Sequence, residues 1–429
     1  MRQEAEDAVD ALASATDFNE APDMAVTRAA SPSPAAADAP LRVEQMTFSV
    51  ANDMVAIETE WRALEALSAN SLHQAYDWCR AWADAQGSEL LLIKAEVNGR
   101  CVMLLPLEVM RQHGVRVVSY LGQGHNNFNT GLFASDFPAL SQEEISLFKR
   151  QMRHVMSGKA DMVLLEATPP VWRGVPHPLA GLTTIENPNH TFQLNLHRSF
   201  EATLAQLNAK RRRKKFRVQT RRLEEMGGYA HACPDTLEGQ RDLLEAFFRQ
   251  KGQRLRSQGL PDVFAPEDIR SFFRRLLEAR TTNETYPLKL HAISLQGEHA
   301  GRIAAIAGLS RKGDHIICQF GAIDDSLAPE TSPGELLFWL MIEQACYEGA
   351  ALFDFGRGDQ PYKRSWCNIE TVAHDLMIAI SWRGLLATQV HVATARAKAA
   401  IKRNPALYRF IQRLRTKDAA PATPTEAAD

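Results

Sequence analysis

The chain has 429 residues, 45% hydrophobic and 23% charged, with a formal net charge of -2, enough for two to three domains of ordinary globular composition. Near-neutrality excludes a protein that binds polyanions over its whole surface, and no apolar run reaches the length needed to cross a bilayer. Cys79, Cys101, Cys233, Cys318, Cys346 and Cys367 form no CxxC pair, which excludes a zinc ribbon or disulfide frame and fits reduced, mostly buried thiols in a cytoplasmic protein.

Residues 1–40 hold thirteen alanines and four prolines. A stretch so poor in large apolar groups cannot offset its ordering entropy, so a disordered tail is expected there and again over 418–429. The first residues have no apolar core of the kind a secretory signal carries. The folded body is expected between 42 and 415.

Inside the body a hairpin–strand–helix–strand pattern occurs twice. "LLLIKAEVNGRCVMLLPLEVMR" (90–111) is two strands around an Asn-Gly turn. "LKLHAISLQGEHAGRIAAIAGLSR" (288–311) has the same layout with Gln296-Gly297 at the turn. A third strand follows each hairpin, over 115–124 and 315–324. A helix comes next, Ser141 to Met156 and Pro333 to Tyr347. A last strand covers 161–167 and 351–356. Two such copies predict an α/β (α+β) chain with two domains of like topology, 42–190 and 191–390. Between the copies, 198–280 reads as helical. "SFEATLAQLNAKRRRKKFRVQTRRLEEMGG" is its first helix, with Ser199 as N-cap and Gly227-Gly228 as stop. "TLEGQRDLLEAFFRQKGQRL" and "PEDIRSFFRRLLEARTT" give two more.

"LFDFGRGDQPYKRSWCN" (352–368) begins as a core strand and then crowds Asp354, Arg357, Asp359, Tyr362, Lys363 and Arg364 around Gly356 and Gly358. Charges at the end of a core strand cost desolvation unless they are paired or used. In an open α/β sheet, ligands bind beyond such strand ends. Upstream, Ser332-Pro333-Gly334-Glu335 opens a helix. Its free N–H groups suit a phosphate, or the four residues form a capping box closed by Glu335. Cys367 has no partner order that would make it a nucleophile.

"SPGELLFWLMIEQACYEGAALFDFGRGDQPYKRSWCN" resembles the C-terminal signature of GNAT-type acyltransferases of the CelD-like, cellulose-biosynthesis-associated family. These are similar to the Fem-type transferases that add amino acids to peptidoglycan bridges. The resemblance extends over 60–87, "LLPLEVMR" and the 199–228 segment, and covers most of 45–385. It implies two tandem GNAT-like domains, each a mixed sheet flanked by helices, with the acyl-donor site in the second. Gln319, Phe320, Gly321 and Ala322 would line pantetheine, and Ser332, Pro333, Gly334 and Glu335 the pyrophosphate of an acyl-CoA, with no metal. The glycine-rich Arg/Gln-x-x-Gly-x-Gly/Ala loop of typical GNAT enzymes is absent here, as it is from Fem-type enzymes, which take their acyl group from aminoacyl-tRNA. Acyl transfer needs a base, an oxyanion donor and an acid for the leaving group. Asp359 or Asp354 is the candidate base, Lys363 the oxyanion donor and Tyr362 the acid.

"KRRRKKFRVQTRR" (210–222) holds nine Lys or Arg in thirteen positions. Arg211, Arg212 and Arg213, together with Arg357, are the candidate acceptor-binding residues. The expected acceptor is an amine or hydroxyl of a sugar, polysaccharide precursor or cell-envelope metabolite. Aminoacyl transfer from tRNA is the alternative, as is a non-catalytic module binding an anionic polymer. The segment 396–417 is also acid-free. Tyr408, Phe410, Ile411 and Leu414 on one face would suit a membrane surface. Pro405 splits it, so a short packed basic C-terminal helix over 391–417 is the expectation.

Overall fold

The computed structural model describes residues 41–403, apart from 283, 325 and 327–330. The expected tails and the part of the basic C-terminal helix beyond 403 lie outside the described residues. The first half runs β1 (Thr47–Ala51), α1 (Glu58–Glu65), α2 (Tyr76–Gln86), β2 (Leu90–Val97), β3 (Arg100–Gln112), β4 (Val115–Tyr120), β5 (Leu132–Phe133), α3 (Gln142–Met156) and β6 (Met162–Thr168), followed by the short β7 (Val171–Trp172), β8 (Val175–Pro176) and β9 (Thr183–Glu186). The second runs β10 (Thr191–Asn195), α4 (Phe200–Ala205), α5 (Ala209–Glu225), β11 (Tyr229–Ala232), α6 (Leu237–Ser257), α7 (Glu267–Glu278), β12 (Thr285–Leu295), β13 (Ile303–Lys312) and β14 (His315–Ile323). After it come α8 (Pro333–Tyr347), β15 (Leu352–Arg357), α9 (Pro361–Trp366), β16 (Ile369–Thr371), β17 (His374–Ala379) and α10 (Trp382–Arg403).

The architecture is mixed α/β, two twisted sheets flanked by helices. The first sheet has the order β1-β2-β3-β4-β6-β17-β9, and the second β11-β12-β13-β14-β15-β10-β16. Each is antiparallel except for one parallel pair at the same place in the order, β4 with β6 and β14 with β15. The repeat read in the sequence is therefore present strand for strand. Two details differ from the expected layout. The Asn98-Gly99 turn joins β2 directly to β3, both residues at positive φ. The Gln296-Gly297 turn is wider, a 3-10 turn over Gly297–His299 before β13 starts at Ile303. Its Gly297 is packed against Gly227, where a Cβ would lie 2.8 Å from the Gly227 Cα. The long helix expected from 199 is two helices. Ser199 caps the first, and Asn208 Oδ1 accepts from Arg211 N (3.2 Å) to start the second. An Asn side chain that can cap competes with helix continuation.

A boundary near 190 divides the chain but not the sheets. β10, just after the boundary, pairs antiparallel with β15. β17, near the chain's other end, returns to pair antiparallel with β6. Helix α10 follows it, starting at Trp382 rather than near 391, and packs Ala387 and Val392 against Val117, Met162, Leu164 and Met377 of the first sheet. The C-terminal strand and helix thus belong to the first sheet.

One core cluster spans the two halves. Trp78 and Trp82 of α2 each meet the Phe272 ring of α7 at 5.2 Å. Phe273 meets Phe320 of β14 at 5.2 Å, and Phe247 of α6 stacks on Phe320 at 4.1 Å. Aromatic pairs in such geometry add about 0.5–1.5 kcal/mol each beyond their area burial. The first half therefore buttresses one strand of the second sheet.

Gly384 sets how closely α10 approaches the first sheet, because a Cβ there would lie 1.7 Å from the Asp161 carbonyl oxygen. Gly384→Ala is expected to push the helix off the sheet and cost about 3 kcal/mol. Urea unfolding followed by circular dichroism measures this, and an unchanged midpoint would mean that α10 is not held at Asp161.

Candidate functional site

β14 and β15 pair over only three residues each, His315–Ile317 against Leu352–Asp354. Beyond that point they part, for two local reasons. On β14 the register against β13 shifts, with Gly308 opposite Phe320 and Leu309 opposite Cys318. Gln319 is thus the extra residue of a β-bulge, which bends the strand and re-aims side chains. On β15 the fully buried Asp354 accepts from Gly356 N (2.6 Å) and from Gln193 Nε2 of β10 (2.8 Å). Gly356 adopts a positive φ of 72°, and a Cβ there would lie 2.6 Å from Asn127 Oδ1.

A cavity of about 540 Å³ fills the fork, a size suited to a cofactor-like ligand. Gln319, Phe320, Gly321 and Ala322 line it from β14, Ser332, Pro333, Gly334 and Glu335 from the start of α8, and Arg357, Tyr362 and Lys363 from β15 and α9. Leu337, Phe338 and Phe355 supply an apolar wall. The β14 edge that faces the fork after Ile317 is not paired with β15, an arrangement in which an extended ligand can lie along a strand.

Ser332 and Glu335 do not form the capping box. Ser332 is left-handed (φ 49°), and its side chain makes no cap bond. Its carbonyl accepts from Gln219 Nε2 of α5 at 3.2 Å. Glu335 is drawn away from the helix end by two cations of α5, Arg212 Nη1 (3.1 Å) and Lys215 Nζ (2.5 Å). The corresponding helix of the first copy is closed. There Ser141 Oγ accepts from Glu144 N (3.3 Å), and Glu144 Oε2 accepts from Ser141 N (3.0 Å). The first fork is occupied too, because the loop after β4 enters it. Asn129 N bonds the Ala167 carbonyl at 2.9 Å, and Asn129 Nδ2 the Glu166 carbonyl at 2.8 Å.

Lys363 folds back over the strand end, only 4% exposed. Its Nζ donates to the Gly356 carbonyl (3.1 Å) and the Arg357 carbonyl (2.7 Å). Burial lowers its pKa, partly offset by the negative charges around it. The Tyr362 ring stacks on Phe338 at 5.4 Å, and burial raises its pKa, which keeps the phenol protonated at neutral pH. Cys318 lines the cavity, but burial pushes its thiol up to about 12.

The two candidate bases are not brought to the cavity. Asp354 has both carboxylate oxygens engaged in the strand end and is inaccessible. Asp359 is half exposed and pairs with Arg364 at 2.5 Å. The three arginines also separate. Arg212 is buried, over the Trp366 ring at 3.7 Å and bonded to Ser365 Oγ at 2.7 Å as well as to Glu335. Arg211 and Arg213 are exposed, and Arg213 pairs with Glu201. Arg357 lines the cavity and donates to the Gly124 carbonyl at 2.9 Å.

Sequence reasoning missed two groups. Lys251, Arg254 and Gln258 line the cavity from the end of α6, and Lys251 Nζ donates to the Gly321 carbonyl at 3.2 Å. Their spacing of three and four residues puts them on one helical face, a signal available in "RQKGQRLRSQG". From the first half, His73 Nε2 accepts from Asn127 N (3.4 Å) and Gln319 Nε2 (3.2 Å), and its Nδ1 faces Ser71 Oγ (3.2 Å). Burial holds His73 down to about 4, so it is neutral. Asn127 Nδ2 donates to Gln319 Oε1 at 3.3 Å. No group of His, Cys, Asp and Glu suited to a metal ion occurs among the described residues, and none of their helices is long and apolar enough to cross a membrane.

The family model for the "Acetyltransferase (GNAT) domain" matches residues 210–364. Among solved structures, FemX superposes with a TM-score of 0.53 at 14% identity, covering 77% of this chain and 97% of that one. The C-terminal domain of a putative lysylphosphatidylglycerol synthetase from Agrobacterium fabrum gives 0.48 at 11% identity, covering 80% and 96%. A tandem GNAT protein from the clavulanic acid biosynthesis pathway gives 0.43 at 10%, covering 78% and 99%. No curated protein matches. Residues 210–364 thus carry a GNAT acetyltransferase domain, and the described chain has the fold seen in FemX.

Proposed function

We propose that this protein is a GNAT-type acyltransferase of the CelD-like group. In this reading it moves an acyl group from acyl-CoA to an amine or hydroxyl of a sugar, polysaccharide precursor or cell-envelope metabolite. The observation that carries the reading is the cavity in the β14–β15 fork, whose lining combines the Lys363 ammonium with a cationic corner. That corner is the open start of α8 with Lys251 and Arg254 of α6. Helix N-terminal N–H groups and two cations together suit a pyrophosphate. They stand in for the glycine-rich loop this sequence lacks. The apolar wall of Phe320, Leu337, Phe338 and Phe355 suits pantetheine.

In this reading the donor carbonyl sits at the parting of the strands. Lys363 spends two of its three N–H groups on carbonyls, and the third stabilises the developing oxyanion. As the acyl–sulfur bond breaks, Tyr362, held protonated, gives its proton to the leaving thiolate; the acceptor's proton passes to solvent, from which Tyr362 is reprotonated, since neither Asp354 nor Asp359 lines the cavity. Asn127, Gln319 and His73 form a neutral network that orients Gln319 against the ligand.

Aminoacyl transfer from tRNA is supported by a different observation. Lys210, Arg211, Arg213, Lys214 and Arg217 form an exposed basic face on α5, and phosphate backbones bind such faces. A thermal-shift comparison separates the donors. Saturating acetyl-CoA at a hundred times its Kd stabilises the protein by about 2.7 kcal/mol if it is the donor, and charged tRNA does so if the alternative holds. A shift with neither leaves a non-catalytic module.

Lys363→Ala is expected to lower kcat about a hundredfold and leave donor Kd within about threefold, because an oxyanion donor acts in the transition state. Lys363→Arg rescues poorly, since a planar fork cannot reproduce a point charge. In the wild type, kcat falls on the alkaline side at a lower pH than an ordinary lysine would give, because its pKa is lowered. Near-normal turnover of the alanine variant, measured well below its melting temperature, would make Lys363 a structural tie only.

The arginines of α5 give a second mutational test. Arg212→Ala leaves Glu335 with Lys215 alone at the helix start that takes phosphate, so it is expected to weaken acyl-CoA binding and cost about 2 kcal/mol of stability. Arg211→Glu and Arg213→Glu change stability by less than about 0.5 kcal/mol and spare acyl-CoA binding. Equal loss of acyl-CoA affinity in all three, by calorimetry, would contradict this division of the helix.

A further inference from the structure

Helix α10 turns Trp382, Leu385, Leu386 and Val390 to solvent, 69%, 55%, 58% and 66% exposed. Exposed apolar residues scattered singly need no explanation, whereas a contiguous group marks an interaction surface. These four recur at three-, four- and eight-residue spacing along one helix. The opposite face is committed to the first sheet through Gly384, Thr388, Val392 and Ala395. Along α10 itself the charge is of one sign, and among the described residues the only carboxylate lining the groove shared by Arg383, Leu386, Val390 and Lys398 is Glu166 of β6. From Trp382 to Lys417 the sequence holds nine Lys or Arg and no Asp or Glu. Arg383 lies over the Trp382 ring at 5.5 Å, and Arg396 and Lys398 are exposed further along. Arg153 of α3 reaches the Ala379 carbonyl (3.0 Å) close to where α10 begins.

We propose that this face of α10 docks the protein onto an anionic lipid bilayer, lying in the interface rather than crossing it. A Trp and aliphatic group on a helix that carries cations and no acid of its own is the pattern of an interfacial helix. Each cation near an anionic leaflet adds to the attraction. The competing occupants are disfavoured by charge. A second copy would bring Arg383, Arg396 and Lys398 against themselves. The chain's own 404–417 segment carries Arg409, Arg413, Arg415 and Lys417 and no acid, so it too would oppose like with like. Docking by this helix would set the first sheet against the membrane and leave the β14–β15 fork in the second sheet.

Co-sedimentation of the full chain with vesicles tests this, without any substrate. Binding to phosphatidylcholine mixed with phosphatidylglycerol is expected to exceed binding to phosphatidylcholine alone by about tenfold or more and to weaken with salt. Leu385→Asp with Leu386→Asp should abolish it while leaving the melting temperature unchanged, since both side chains are exposed. Absence of binding at low salt, equal binding to neutral vesicles, or full binding by the double variant would each overturn the proposal. So would a concentration-dependent dimer that the double variant dissolves, which would assign the face to a second copy.

Discussion

Two parallel strands that stop pairing after three residues leave rows of peptide groups without partners, and buried peptide groups must find some. The second sheet is organised around that requirement. On the β15 side, Lys363 takes the Gly356 and Arg357 carbonyls, and Asp354 takes the Gly356 N–H. On the β14 side, Lys251 takes the Gly321 carbonyl. What remains open between them is the cavity. The first sheet meets the same requirement differently, with Asn129 bonding the carbonyls of Glu166 and Ala167. One topology thus yields a filled fork and an open one. The loop "GHNNFNTG" fills the first fork, while the Gln319 bulge and the Asp354 clamp shape the second.

An open fork is useful only if its walls hold still. Phe320 lies at the end of an aromatic series that begins at Trp78 and Trp82 in the other half. Gly308 lets its ring lie flat on β13, where a Cβ would approach to 2.4 Å. His73 and Asn127, also from the first half, fix the bulged Gln319. The return of β17 from the second half to the first sheet adds to this coupling. The first half therefore contributes rigidity to a cavity whose lining comes almost wholly from the second.

How much of this was legible follows from the range of each interaction. The two hairpin–strand–helix–strand copies rest on hydrophobic period and Gly turns, which are local, and they stand in the structure. Gln319–Ala322 and Ser332–Glu335, expected from a family resemblance as donor-site residues, line one cavity with Tyr362 and Lys363 of the strand-end cluster and with Arg357, expected at the acceptor. The pairing of β10 with β15 and the return of β17 to β6 are not legible in the sequence because the partners lie more than 150 residues apart, Gln193 meeting Asp354 and Leu376 meeting Leu165. Asp354 and Asp359 looked alike in sequence. Only the packed Gln193 and the neighbouring Arg364 distinguish a buried strand clamp from a surface ion pair. Lys251 and Arg254 were passed over because a helix described by its apolar period hides what its polar face meets.

Ser332 to Glu335 shows why a local rule gives way. Ser-x-x-Glu ahead of an apolar run closes α3 through Ser141 and Glu144, where nothing else competes. At α8 the same pattern faces α5, whose Arg212, Lys215, Phe216 and Gln219 lie on one side of that helix. Phe216 stacks on Trp339 at 4.4 Å and brings the cations with it. Two cations outbid a backbone N–H for the Glu335 carboxylate, since charge-assisted bonds are roughly twice as strong as neutral ones. The Glu335 carboxylate is thereby held off the helix start, where the Glu335 N–H bonds the Ser332 carbonyl at 3.0 Å. A basic run that reads as one feature is thus two: an inner face that opens the start of α8, and an outer face free to meet solvent or an anionic partner.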